Sequence, residues 1–292
     1  MSLFIKKSIY FLVFFLTIYL FIYICISRFF LKTTPSNSIY IYGDSQIVQG
    51  IDLNELKNKT GSYIYSAARH GSGIYDFYYF VKSVPKKSKI ILSISEHTQI
   101  RPDINEANTS PLDLSSLKKI YSSDYSIAGF KNILKRGIKL PRANYFKTQQ
   151  NLYPYNDSIN LHTQLPIFDE LYSKSTSEKI NYKQDMYIKG IKSLIEKDCN
   201  ITFIEFPYNK DLSNLESKTR LNKRLNVFRK RVSEEYNNFK IDTFFLNSNK
   251  NLMYDYTHLN NQGAFILTQI LAEKINASNF NITTMFIVKQ CE

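Results

Sequence analysis

The reactive chemistry of this sequence gathers in a few short segments. Gly43-Asp44-Ser45 ends an apolar, aromatic run near the start, and Asp255-Tyr256-Thr257-His258 precedes an amphipathic run near the end. Between them, Arg69-His70-Gly71-Ser72-Gly73 and Ser95-Glu96-His97-Thr98 each follow a further apolar stretch. The simplest chemistry for such a set is nucleophilic. A serine at a strand-to-helix turn exposes its hydroxyl, and its own N–H faces the same pocket. Gly43 permits the sharp turn. The hydroxyl needs a base, and the base needs a partner that fixes its tautomer. Asp255 and His258 lie three positions apart, so one turn brings carboxylate to imidazole and leaves the other ring nitrogen for Ser45. A developing oxyanion needs backbone donors at close range, which residues without a Cβ supply best. Gly71 and Gly73 are the candidates, together with the N–H of Ser45.

Each piece also has an ordinary structural use. A Gly-Asp-Ser triplet makes turns, a D-x-x-H segment starts helices through its aspartate cap, and His70 and His97 suit hydrogen-bonded structural roles. Joint placement favours catalysis. In a parallel sheet covered on both faces, reactive groups collect where strands end and helices begin, and His70, His97 and His258 all fall on that edge. His162 does not.

The elements that must position these groups follow from periodicity. Ser38–Gly43, Tyr63–Ala67, Lys89–Ser95, Asn200–Phe206 and Lys240–Leu246 read as strands, with Lys89–Ser95 buried on both faces. Leu53–Leu56 reads as a helical turn. Ile74–Val84, Gln184–Lys197, Leu212–Tyr236 and Asn261–Ile275 read as helices, the last of them closing the domain. Alternation of strands and helices predicts an α/β fold, a three-layer sandwich around a mainly parallel sheet. Residues 98–180, rich in Ser, Asn, Tyr and Lys, read as an irregular insertion or cap.

At these residues the sequence resembles the SGNH (GDSL-like) hydrolase superfamily. Gly43-Asp44-Ser45 matches its first block, Gly71 or Gly73 its second-block glycine, and Asp255–His258 its final D-x-x-H. The resemblance spans roughly residues 39–275 and rests on the two end blocks. It implies a flavodoxin-like SGNH fold and an acyl-serine intermediate. The third block departs from the family, with Ser93-Ile94-Ser95-Glu96-His97-Thr98 where a Gly-x-Asn-Asp is usual. His97 or Thr98 is expected to supply the missing oxyanion donor, since the same strand end lines the same pocket.

The first residues complete the expected organisation. Ile9–Ile26 carries no charge and is followed by no small-residue cleavage site, so it predicts an uncleaved single-pass anchor. The expected layout is an anchor with a short cytoplasmic tail over 1–32, a linker over 33–38 and the SGNH-like domain over 39–292. Lys6 and Lys7 ahead of the run place the large domain outside the cell membrane. That architecture looks like the membrane-tethered SGNH-like proteins of bacterial envelope polymer modification. The likeness implies an esterase or O-acyltransferase acting on an acyl ester or carbohydrate polymer, with the lipid bilayer and a multi-pass membrane acyltransferase as partners.

Composition narrows the alternatives. The 292 residues carry a formal charge of +13, with lysines dispersed among Asn and Ser. No reader motif accompanies that charge, which argues against nucleic acid. The densest basic stretch, Arg220–Arg231, includes Leu221, Leu225, Val227 and Phe228, the pattern of a helix with one buried stripe. Three cysteines make no disulfide framework, Cys199–Cys291 being the one pairing the spacing leaves. No cofactor and no metal is expected. Two rival readings stand beside the serine site: a metal-dependent phosphoesterase using Asp44, His97, Asp255 and His258, and a non-catalytic SGNH-like scaffold that binds an envelope polymer.

Overall fold

The computed structural model describes residues 3–32, 35, 37–70, 72, 74–95, 152, 166, 169, 177–209, 212, 215–236, 239–246, 251–277 and 283–290. The chain divides into two compact units, Met1–Ser36 with Pro111–Tyr145, and Asn37–Ser110 with Phe146–Glu292. Most of the expected insertion at 98–180 lies outside the described residues.

In the first unit, helix α1 (Leu3–Lys32) runs through a stretch free of Gly and Pro. Phe11, Leu12, Phe14 and Leu16 along it are exposed. Among the described residues, no helix is long and apolar enough to cross a membrane. The expected N-terminal transmembrane helix is corrected on this ground. The cell-membrane localisation, the lipid bilayer and the membrane acyltransferase partner, which depended on it, fall with it.

The second unit is an α/β fold around a six-stranded sheet in the order β2-β1-β3-β4-β6-β5, with every neighbouring pair parallel. The strands are β1 (Ser38–Tyr42), β2 (Tyr63–Ser66), β3 (Lys89–Ser93), β4 (Asn200–Glu205), β5 (Phe239–Leu246) and β6 (Thr283–Gln290). The helices are α2 (Ser45–Gly50), α3 (Leu53–Thr60), α4 (Ile74–Ser83), α5 (Ser177–Ile195), α6 (Glu216–Glu234) and α7 (Asn261–Ala277).

Period-two alternation sends the side chains of the central strands to two faces of the sheet, both of them buried. Ile39, Ile41, Ile91, Ile204, Phe286 and Val288 join α2, α3 and α7 in one buried cluster. Tyr42 faces the other way, with its ring 5.2 Å from those of Phe77 and Phe80 on α4. Phe77 stacks on Tyr187 of α5, and Tyr187 meets Phe228 of α6 edge-on. The central strands are therefore buried on both sides, which is why Lys89–Ser93 reads as a continuous apolar run.

Local signals fix the helix ends. Asp52 caps α3 by accepting from the N–H groups of Asn54 and Glu55, and Gly61 closes it at φ 62°, a conformation suited to glycine. Along α6, Leu225, Phe228 and Val232 are buried while Val227 is exposed. At 100° per residue Val227 sits off the stripe that the sequence pattern assigns to it.

The serine-bearing turn leads into α2, as expected of a strand-to-helix turn, although the sequence reading gave that helix no bounds. The chain does not close on α7, because β6 follows it and inserts between β4 and β5. Cys199 is a buried free thiol, and Cys291 lies outside the described residues.

Candidate active site

The strand order turns back at β1. The chain steps from β1 to β2 on one side and reaches β3 on the other, the arrangement that opens a crevice at the carboxyl ends of the strands. Gly43, Asp44 and Ser45 occupy that point. A Cβ on Gly43 would come within 2.3 Å of Ile47 Cγ1 and 2.8 Å of Ser93 Cβ. The turn is thus closed against both α2 and β3, and no larger residue fits without movement there.

Asp44 is buried and serves as the N-cap of α2. One carboxylate oxygen accepts from the N–H of Gln46 at 2.9 Å, and the other from the Ser95 hydroxyl at 2.6 Å. The Ser95 bond ties the end of β3 to the turn that presents Ser45. Ser45 itself is 5% exposed.

The second half of the site is the loop between β5 and α7. It is closed on itself by an antiparallel bridge between Met253 and Leu259, and by the N–H of Tyr254 donating to the His258 carbonyl at 2.8 Å. Asn260 is fully buried. Its side chain donates to Asn251 O at 2.8 Å and accepts from the N–H of Gly263 at 2.9 Å, so one residue anchors the loop and caps α7. Within the loop, Asp255 Oδ1 accepts from the N–H groups of Thr257 and His258, each at 2.8 Å. The Thr257 hydroxyl donates to the same oxygen at 3.3 Å and lies 3.1 Å from His258 Nδ1.

The two halves meet. His258 Nδ1 is 2.7 Å from Asp255 Oδ2, and His258 Nε2 is 2.8 Å from Ser45 Oγ. A carboxylate only accepts, so Nδ1 must carry the proton facing it, which leaves Nε2 as an acceptor for the serine hydroxyl. Burial pushes the Asp255 carboxyl up. The hydrogen bond and charge of His258, with the backbone N–H groups of Thr257 and His258, outweigh burial and hold it below the usual carboxylate range. Asp255 is therefore ionised at neutral pH and holds the imidazole in one tautomer.

Of the other expected site residues, Gly71, Gly73, His97 and Thr98 lie outside the described residues. His70 is exposed, with its Nε2 3.5 Å from the amide nitrogen of Gln49 on α2. Among the described residues, no group of three or more His, Cys, Asp and Glu side chains is arranged to hold a metal ion. Asp44 faces Gln46 and Ser95, while Asp255 faces His258 and Thr257, so the two carboxylates serve separate networks.

Four residues that build this site carry no role in the sequence reading: Gln46, Ser95, Thr257 and Asn260. Asn260 had a local signal, as an Asn three residues before Gly263 at the start of a helix. Ser95 and Gln46 had none, since their partners are 51 and 211 positions away. No family model matches the chain, and no curated protein is detectably similar to it in sequence.

Proposed function

We propose that this chain is a serine esterase or O-acyltransferase of the SGNH type, acting through an acyl-serine intermediate on an acyl ester such as an acylated carbohydrate polymer. One observation carries the reading: a continuous chain from Ser45 Oγ through His258 to Asp255, with links of 2.8 and 2.7 Å. Those distances are within the reach of proton abstraction.

In this mechanism Ser45 Oγ attacks the ester carbonyl carbon while its proton passes to His258 Nε2. Asp255 stays ionised and stabilises the imidazolium through Nδ1. The tetrahedral intermediate collapses, the bond to the leaving alcohol breaks, and His258 returns the proton to that oxygen. A water molecule or an acceptor hydroxyl then attacks the acyl carbon and gives its proton to His258, and as the bond to Ser45 Oγ breaks His258 returns that proton to the serine oxygen. Hydrolysis and transfer differ only in which hydroxyl arrives. The occluded serine also supports this reading, because exclusion of bulk water strengthens each charge interaction along the chain.

The purified chain is expected to hydrolyse p-nitrophenyl acetate and to be labelled once, on Ser45, by a serine-directed phosphonate. Ser45→Ala is expected to abolish both. An inert wild-type chain that binds carbohydrate polymer and ignores the phosphonate would instead establish the scaffold alternative.

A further inference from the structure

We infer that Gln46 is a positioning residue that locks the histidine loop onto the helix carrying Ser45, an inference that rests on the serine reading above. Gln46 follows Ser45 on the first turn of α2, where successive side chains point about 100° apart. Its side chain therefore takes a different course from that of the nucleophile. It is 2% exposed, and its Nε2 donates to the Thr257 carbonyl at 3.1 Å.

That carbonyl belongs to the same planar peptide unit as the N–H of His258. The N–H donates to Asp255 Oδ1 at 2.8 Å, and the carbonyl accepts from Gln46 on the other side. The peptide that sets the His258 Cα is thus clamped at both ends, once from its own loop and once from the nucleophile's helix. Asp255 can orient the ring within the loop but cannot set the distance from the loop to α2. Among the described bonds, Gln46 joins those two elements directly by a side chain without being one of the reacting groups.

The choice of side chain supports a positional role. A buried amide costs free energy wherever it is incompletely bonded, and Gln46 Oε1 has no partner among the described residues. Leucine has similar volume and would fill the site without that cost. What the amide supplies, and leucine cannot, is the bond to the Thr257 carbonyl that crosses between the two halves.

The test uses the full chain with Gln46→Leu, Gln46→Glu and Ser45→Ala. The kinetic readouts are kcat and KM for p-nitrophenyl acetate across pH 5 to 9. The structural readout is amide hydrogen exchange over residues 252–260. Gln46→Leu should fold and keep KM within about twofold. Its kcat should fall by about 10- to 100-fold, the scale of a small misplacement of reacting groups, and the loop amides should exchange faster. Gln46→Glu should be impaired when its carboxylate faces the carbonyl. It should recover relative to wild type as pH falls and the protonated acid donates again, a dependence that a purely structural role would not produce.

Unchanged kcat in Gln46→Leu, or a pH-independent ratio of Gln46→Glu to wild type, would overturn the role. If the ester is not turned over at all, or Ser45→Ala retains the rate, the serine reading itself fails. Exchange then still decides the clamp, which unaltered protection in Gln46→Leu would refute.

Discussion

Asp255→Asn separates the electrostatic role of this residue from its structural one. Asp255 Oδ1 accepts two backbone N–H groups at 2.8 Å and the Thr257 hydroxyl at 3.3 Å, whereas Oδ2 faces His258 Nδ1 at 2.7 Å. An amide at this position has one acceptor oxygen and one donor nitrogen. The two backbone donors require the oxygen in the Oδ1 position, so the NH2 group must face Nδ1. Nδ1 then becomes an acceptor, the imidazole proton moves to Nε2, and Nε2 presents a donor to Ser45 where an acceptor is needed. The ring stays in place in the wrong tautomer. The expected loss in kcat is about 10⁴-fold, the magnitude seen when a triad aspartate is replaced in this way, or about 5.5 kcal/mol of barrier. Because the backbone donors remain satisfied, the urea midpoint of Asp255→Asn should lie closer to that of wild type than that of Asp255→Ala, short of it by the stabilisation that ionisation of Asp255 supplies. Asp255→Ala removes those acceptors as well, and unfolding should become easier by about 1–3 kcal/mol. Steady-state p-nitrophenyl acetate hydrolysis and urea unfolding followed by circular dichroism check the pair. If Asp255→Asn retained more than a tenth of the wild-type kcat, Asp255 would not be what fixes the His258 tautomer.

Two further outcomes follow from the same geometry. The folded-state pKa of Asp255 lies below its unfolded value, so ionisation stabilises the fold above the ordinary carboxylate pKa of about 3.9, and that contribution disappears as pH falls through the folded-state value. The gap in urea midpoint between wild type and Asp255→Asn should be constant above about pH 5 and shift against wild type below about pH 4; equal slopes for the two proteins would contradict the assignment. Gly263→Ala places a Cβ 2.4 Å from the Leu252 carbonyl oxygen, which also accepts from the N–H of Asn260 at 3.0 Å. It should destabilise the protein by about 1–3 kcal/mol by overpacking and lower kcat as the histidine loop shifts, a change measurable by thermal unfolding alongside initial rates.

The central strand Lys89–Ser93 was legible because burial on both faces leaves a continuous apolar run, and Asn200–Glu205 because β-branched and aromatic residues dominate it. Asp44, Asp52 and Gly61 mark helix ends by local chemistry that needs no tertiary partner. β6 was not legible. Thr283–Gln290 is a short mixed run after a helix, and its stability comes from pairing with β4 and β5 on either side. Periodicity alone cannot distinguish such a segment from a tail. The apolar run near the N-terminus shows the opposite error. Length and hydropathy predicted a membrane span over Ile9–Ile26, but no helix among the described residues meets that requirement.

By itself the sequence determined what short spacing controls. Three positions between Asp255 and His258 allow one turn to join carboxylate and imidazole, and a glycine before Asp44 lets the chain bend where Ser45 emerges. Tertiary structure alone decided how the halves meet: Ser45 and His258 are 213 positions apart, and Gln46 and Thr257 are 211 apart. Such contacts depend on strand order and helix packing, which are set by burial summed over the whole unit and leave no mark on the residues they bring together.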